Sequence, residues 1–241
     1  MDRSGIEKLI VHVANLGRNH LVEPEAKELL KLCSIAVPEF THVNELSEAR
    51  RVTDRLGFPL VLKIVSEEVD HKTAIGGVAI GLKDTEALEE CWTLMLLNIA
   101  DENPIAVVEG FVIEEMVPRG AEVTISAIKS ERFGMVVMFH TGAGEIDRIK
   151  DVSFRLGAVD REEALKMINE VKGFKTAEYT EGSNGSSRKG HVKDLGAIAD
   201  ALVTISTVVE GTEGLAELEI SPLIVYSEGA IAVDARAVLK K

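Results

Sequence analysis

Two short runs of strand-forming residues, Leu60–Val65 and Val78–Leu82, enclose a polar stretch that ends in Gly76 and Gly77. Runs of this kind joined through glycine read as paired strands with a close turn. A lysine, Lys63, stands in the middle of the first run. Side chains alternate along a strand, so Lys63 points to the same face as Val61 and Val65. A lysine is rarely buried without a partner, so that face either meets water or holds an anion. His71, Lys72 and Thr73 follow, and then the two glycines. Glycine lets a backbone come close to a ligand, and exposed N–H groups there suit phosphate oxygens. The plainer alternative is an exposed lysine on an edge strand and a glycine turn closing a hairpin.

The rest of the chain shows what kind of body carries this stretch. With 241 residues, 46% of them hydrophobic and 28% charged, it has room for one large globular domain or two lobes with a real core. No apolar run approaches the ~20 residues that span a bilayer, so no membrane role is expected. The first residues have no signal-peptide core. Cys33 and Cys91 form no metal or redox spacing and fall in helical apolar patterns, as reduced core thiols of a cytoplasmic protein would. A net charge of −13 and 4% aromatic residues argue against nucleic acid as a partner. They leave room for an anionic nucleotide held by a few local cations.

Helices are predicted at five places. The first opens at Glu23 and Pro24, and the second after an Asn44 cap, with Gly57 past its end. A third follows Asp84 and turns Leu88, Cys91, Trp92, Met95, Leu96 and Ile99 inward. A fourth begins with an Asp160–Glu163 capping box, and a fifth runs through Leu195, Ile198, Leu202, Ile205 and Val209. Strands are expected over 107–117, 121–130, 133–139, 215–226 and 230–239. In the second of these, Val123, Ile125 and Ala127 face one way and Glu122, Thr124 and Ser126 the other. Residues 1–22 read as an extension and 179–190 as a surface loop. Strands and helices mix without a βαβ rhythm, and there is no Gly-x-Gly-x-x-Gly or Walker-type loop, so the fold class is α+β.

The last two strands form the second informative place. Glu217, Glu219 and Ser221 share one face, as do Asp234 and Arg236. A turn near Glu228 brings Ser221 and Glu219 roughly opposite Asp234 and Arg236. Carboxylates on neighbouring strands supply hard oxygen ligands of the kind magnesium takes. A solvated acidic stripe paired with Arg236 explains the same pattern.

Taken in order, these motifs resemble the β subunit, or fused β domain, of the ADP-forming acyl-CoA synthetases (acetate–CoA ligases), ATP-grasp proteins related to succinyl-CoA synthetase. The resemblance runs from about Glu23 to the end. It rests on the Lys63 strand, His71-Lys72-Thr73 before Gly76-Gly77-Val78, Val112–Val117, residues 133–140 and 150–156, Glu217–Leu223, and Asp234-Ala235-Arg236. It implies an ATP-grasp domain over 23–241 in two lobes with the nucleotide between them. The small lobe would cover about 41–114, and the large lobe 23–40 plus 115–241.

By the same resemblance Lys63, Gly76 and Gly77 meet the phosphates of ATP or ADP. The backbone of Glu114, Glu115, Met116 and Val117 reads adenine, Glu122 binds the ribose, and Arg236 lies at the nucleotide. Asp234 is the firm Mg2+ ligand. The second ligand is an Asn in the family and Ser221 here, so Glu219 or a water can take its place. His71 would relay phosphate between the nucleotide and a phosphohistidine of an α subunit that carries the CoA-binding domain, in an α2β2 assembly. The family's Gly-Leu-Gly-Gly also reads differently here, as His140-Thr141-Gly142-Ala143-Gly144. Two other readings stand beside this one: a complete ATP-grasp carboxylate ligase, and a non-catalytic nucleotide-sensing module of an acyl-transfer complex.

Overall fold

The computed structural model describes residues 1–69, 72–142, 151–176 and 193–240. His71, the 179–190 loop and the 143–144 end of the second glycine turn lie outside the described residues. The chain divides into two compact units. One comprises residues 1–21, 25–37 and 119–241; the other comprises 22–24 and 38–118.

The smaller unit is a four-stranded antiparallel sheet with helices on one face. Its strands are β1 (Phe40–Val43), β2 (Leu60–Val65), β3 (Val78–Leu82) and β4 (Gly110–Glu115), in the order β1-β4-β2-β3. Alternation sorts their side chains. Leu60, Leu62, Ile64, Phe111 and Ile113 join one core with Leu88, Trp92, Met95 and Ile99 of α4 (Thr85–Glu102) and Ala49 and Val52 of α3 (Leu46–Leu56). Asp84 caps α4 as expected, accepting from the N–H of Ala87 at 2.8 Å. Two local expectations are corrected. The residue before α3 is Glu45, which makes no side-chain cap, while Asn44 donates its own N–H to Glu48. Leu96 faces outward and is 39% exposed, because the inward stripe of α4 is satisfied by residues at 88, 92, 95 and 99.

In the larger unit the strands are β5 (Ala121–Ser130), β6 (Gly134–Thr141), β7 (Val152–Leu156), β8 (Leu215–Val225), β9 (Ala230–Ala232) and β10 (Ala235–Leu239). They form one antiparallel sheet ordered β10-β8-β5-β6-β7, with β9 pairing on β8. Helices α1 (Arg3–Asn15), α2 (Glu23–Leu32), α5 (Arg161–Glu170), α6 (Lys172–Thr176) and α7 (Leu195–Gly211) complete the described elements. Val123, Ile125, Ala127, Val137, Phe139, Leu218 and Ile220 share a core with Ala164, Met167 and Ile168 of α5 and Ile198, Leu202, Ile205 and Val209 of α7. Capping aspartates start both helices: Asp160 accepts from Glu163 N–H and Asp194 from Ala197 N–H.

The opening residues, expected as an extension, are a folded helix. Ile6, Ile10 and Val13 of α1 recur at helical spacing and are buried in the large-unit core. The last expected strand is broken at 233–234 into β9 and β10.

Candidate functional site

In the smaller unit, strand alternation leaves Val61, Lys63, Val65, Val112 and Glu114 on the face of the sheet away from the α3/α4 core. Lys63 is opposite Val112, and Val61 is opposite Glu114. The anion that Lys63 calls for comes from the chain itself. Its Nζ donates to Glu23 Oε1 at 2.9 Å and stands 2.8 Å from Glu114 Oε1, and all three side chains are buried. The Glu114 contact is a charge pair rather than an aligned hydrogen bond. Lys72 reaches the other oxygen of Glu23. Two ammonium groups and two carboxylates thus meet in a site where an isolated charge would be costly to hold.

The glycine pair closes this segment tightly. Gly76 has φ +70°, a conformation side chains disfavour, and a Cβ on Gly77 would lie 2.7 Å from Ile64 Cγ2 and 3.0 Å from the Lys72 carbonyl. Their N–H groups, expected to be exposed, are instead donated within the turn, Gly76 to Thr73 O and Gly77 to Lys72 O at 2.7 Å. The turn folds back on its own carbonyls, so the glycines here serve close packing. At the end of β4, Glu115 N–H goes to Glu39 O and Met116 N–H to Pro59 O, whereas Val117 N–H makes no hydrogen bond to a described residue.

In the larger unit the sheet face opposite the core carries a polar row. Arg236 is opposite Glu219 and Ala235 opposite Ile220, so Asp234 stands beside Ser221, whose N–H bonds the Asp234 carbonyl at 3.1 Å. This is the juxtaposition that the turn at Glu228 requires. Ser221 Oγ lies 2.9 Å from Thr124 Oγ1, which donates to Gly142 O. Opposite Thr124 on β6 is His140, buried and held neutral more firmly than a free histidine because burial disfavours its charge. Arg236 pairs with Glu217 at 2.6 Å. Glu122 is exposed at the start of β5.

The chemistry of this row suits a divalent cation. The Glu219 carboxyl is pushed up from its ordinary range, first by burial, then by Glu217, and also by Asp234, against the pull of Arg236. A cation beside the carboxylate would offset both the burial and the neighbouring negative charges. Ser126 Oγ, buried on the same face and opposite Glu219, has no hydrogen-bond partner among the described residues. No three His, Cys, Asp or Glu side chains converge as a cage among the described residues. The donor set therefore fits magnesium, which takes one or two carboxylates and completes its shell with water and phosphate, rather than a structural metal.

Several of these groups escaped sequence reasoning. Glu23 reads there only as an acid at a helix start and Glu114 only as backbone, because their meeting with Lys63 depends on strand order. His140 reads as part of a turn.

The model of the ATP-grasp domain family matches residues 12–239. The acetate–CoA ligase (ADP-forming) I subunit beta of Pyrococcus furiosus is 36% identical over 239 residues, covering 99% of this chain and all of that one. The chain belongs to this family of ligase β subunits. Solved structures agree. Acetyl-coenzyme A synthetase 1 of Ca. Korarchaeum cryptofilum, in complex with coenzyme A and Ca-AMPCP, superposes with a TM-score of 0.87 at 33% identity, over 97% of this chain and 99% of that one. A second structure of that protein (TM-score 0.79, 31% identity, 98% and 100% covered) holds coenzyme A and Mg-AMPPCP, with its phosphohistidine segment pointing towards the nucleotide-binding site. The family is one of ligases acting by phosphoryl transfer, and its α+β ATP-grasp fold is the one described above. No helix among the described residues is long and apolar enough to cross a membrane.

Proposed function

We propose that this chain handles the nucleotide in a cytoplasmic, α2β2 acyl-CoA synthetase: acyl-CoA + ADP + phosphate ⇌ organic acid + CoA + ATP. The observation that carries the reading is the buried cluster in which Lys63 and Lys72 flank the position of His71 in the chain. A lysine held buried between two carboxylates is a cation fixed in place, as a site that meets phosphate charge requires. In this reading Lys63 and Lys72 bind phosphate oxygens, with the Gly76–Gly77 turn holding Lys72 close to β2. The 114–117 backbone receives the adenine, where Val117 N–H is available, and Glu122 takes the ribose hydroxyls. Asp234 holds magnesium with Glu219 or Ser221, and Arg236 balances the local acids. Bound magnesium would neutralise phosphate charge.

His71 acts as the relay. Its unprotonated ring nitrogen takes the phosphoryl group as the N–P bond on the α-subunit histidine breaks, and passes it to the terminal oxygen of ADP as its own N–P bond breaks. The α subunit would also carry the CoA-binding domain, in keeping with the coenzyme A and phosphohistidine segment of the Korarchaeum relative. One observation favours a second reading, the nucleotide-sensing module: Ser221, at the family's Asn position, spends its hydroxyl on Thr124. In that case His71→Ala would leave the assembled enzyme active.

Thermal stability with and without Mg-ADP tests the first reading. A ligand at 100 times its Kd adds ~2.7 kcal/mol to the folded state. Wild type should shift and Lys63→Met should not, each compared with its own ligand-free midpoint. Absence of a shift in wild type, alone and with the α subunit, would sink the proposal.

A further inference from the structure

Glu23 is a strange place to find a carboxylate. An acid that only serves the positive end of a helix does so from the surface, where it stays hydrated. The Glu23 side chain is 1% exposed, and its two oxygens are divided between two lysines from different parts of the small unit. Oε1 accepts from Lys63 in β2, and Oε2 accepts from Lys72 in the turn that closes at Gly77. Lys63 has a second carboxylate in Glu114, but Lys72 is tied to the strand lysine through Glu23. Each ammonium gives one of its three donors to Glu23, so a phosphate arriving at these lysines must share both cations with a carboxylate whose charge has the same sign as its own.

The geometry points to Glu23 as the positioning residue of the phosphate site: it fixes Lys63 and Lys72 relative to one another and competes with nucleotide phosphate for both. This rests on the reading of Lys63 as a phosphate ligand. Two consequences separate Glu23 from a structural acid. Neutralising it removes a competitor, so nucleotide binds more tightly. The same change frees the Lys72 side chain from its fixed position beside Lys63, while its backbone stays in the Gly77 turn, so the two ammonium groups no longer present one geometry to the phosphoryl group and transfer slows. A merely structural residue would weaken both.

The experiment uses the complex with the α subunit, with ADP affinity read by calorimetry and ATP formation read at saturating substrates. Glu23→Gln should lower the Kd for ADP about fivefold and lower kcat by about tenfold. Glu23→Asp keeps the competing charge but is one methylene too short to hold both lysines. It should leave Kd within about twofold of wild type and recover part of kcat. A Glu23→Gln protein whose Kd rises as kcat falls, or in which neither moves, overturns the inference. Should Glu23→Gln fail to fold, a wild-type kcat in Glu23→Asp overturns it instead. Lys63→Met serves as the separate control: if that variant binds ADP as wild type does, the phosphate-ligand reading fails, whatever Glu23 does.

Discussion

Lys63 is surrounded by its own chain's charges, and this determines what its removal costs. Lys63→Met leaves Glu23 and Glu114 buried without their shared cation. Breaking such a pair costs about 3–5 kcal/mol, which urea unfolding of the isolated chain should show. Adding Glu114→Leu should return part of that loss, because the second carboxylate no longer needs a partner. Gly77→Ala is the sharper steric test. Its methyl group would press on Ile64 Cγ2 and the Lys72 carbonyl, and overpacking of that kind costs about 1–3 kcal/mol. The sequence poses the right question about Lys63, whether water or an anion waits on its face. It could not answer, since Glu23 lies 40 positions away and Glu114 becomes a neighbour only when β4 inserts beside β2.

Elements were easier to read than their neighbours. Asp84 and Asp160 cap helices where their spacing predicts, and the β8–β10 register follows from one turn at Glu228. The Asn44 cap fails because α3 starts at Leu46, which leaves Glu45 at the cap position and Asn44 one residue too early. The polar row across the large sheet was legible on β5 and β8 from alternation, while His140 was hidden by its place at the end of β6. One element-level contact sets a pH dependence. Arg155 on β7 holds Glu163 and Glu170 of α5, and the Arg155 and Ser153 hydrogen bonds bring the Glu170 carboxyl down from 4.5 to about 2. Between those values the unfolded chain binds more protons than the folded one, so this contribution is present above pH 4.5 and is lost as pH falls towards 2. Glu170 is 52% exposed and screened, so the amount is about 0.5 kcal/mol. Glu170→Gln should flatten the acid side of a stability–pH curve by that much, and an unchanged slope would count against the clamp.

At the scale of the whole molecule the described residues form two cores with no residue in common. The sole tryptophan, Trp92, stacks on Phe111 in the smaller one, with ring centroids 3.8 Å apart. Its fluorescence therefore reports one unit, while far-UV circular dichroism reports both. The two signals should give different melting midpoints, and coincident curves would mean that the units unfold as one. The larger unit also closes on itself through its distant ends. Leu21 N–H bonds Ala237 O, Leu239 N–H bonds Asn19 O, and His20 bridges Val238. On the ribosome, residues 237–239 are made long after 19–21. Residues 19–21 must therefore wait until the chain has been made through residue 239 before their backbone partners exist, and until then the apolar faces of α1 and α2 lack the strands that complete their core.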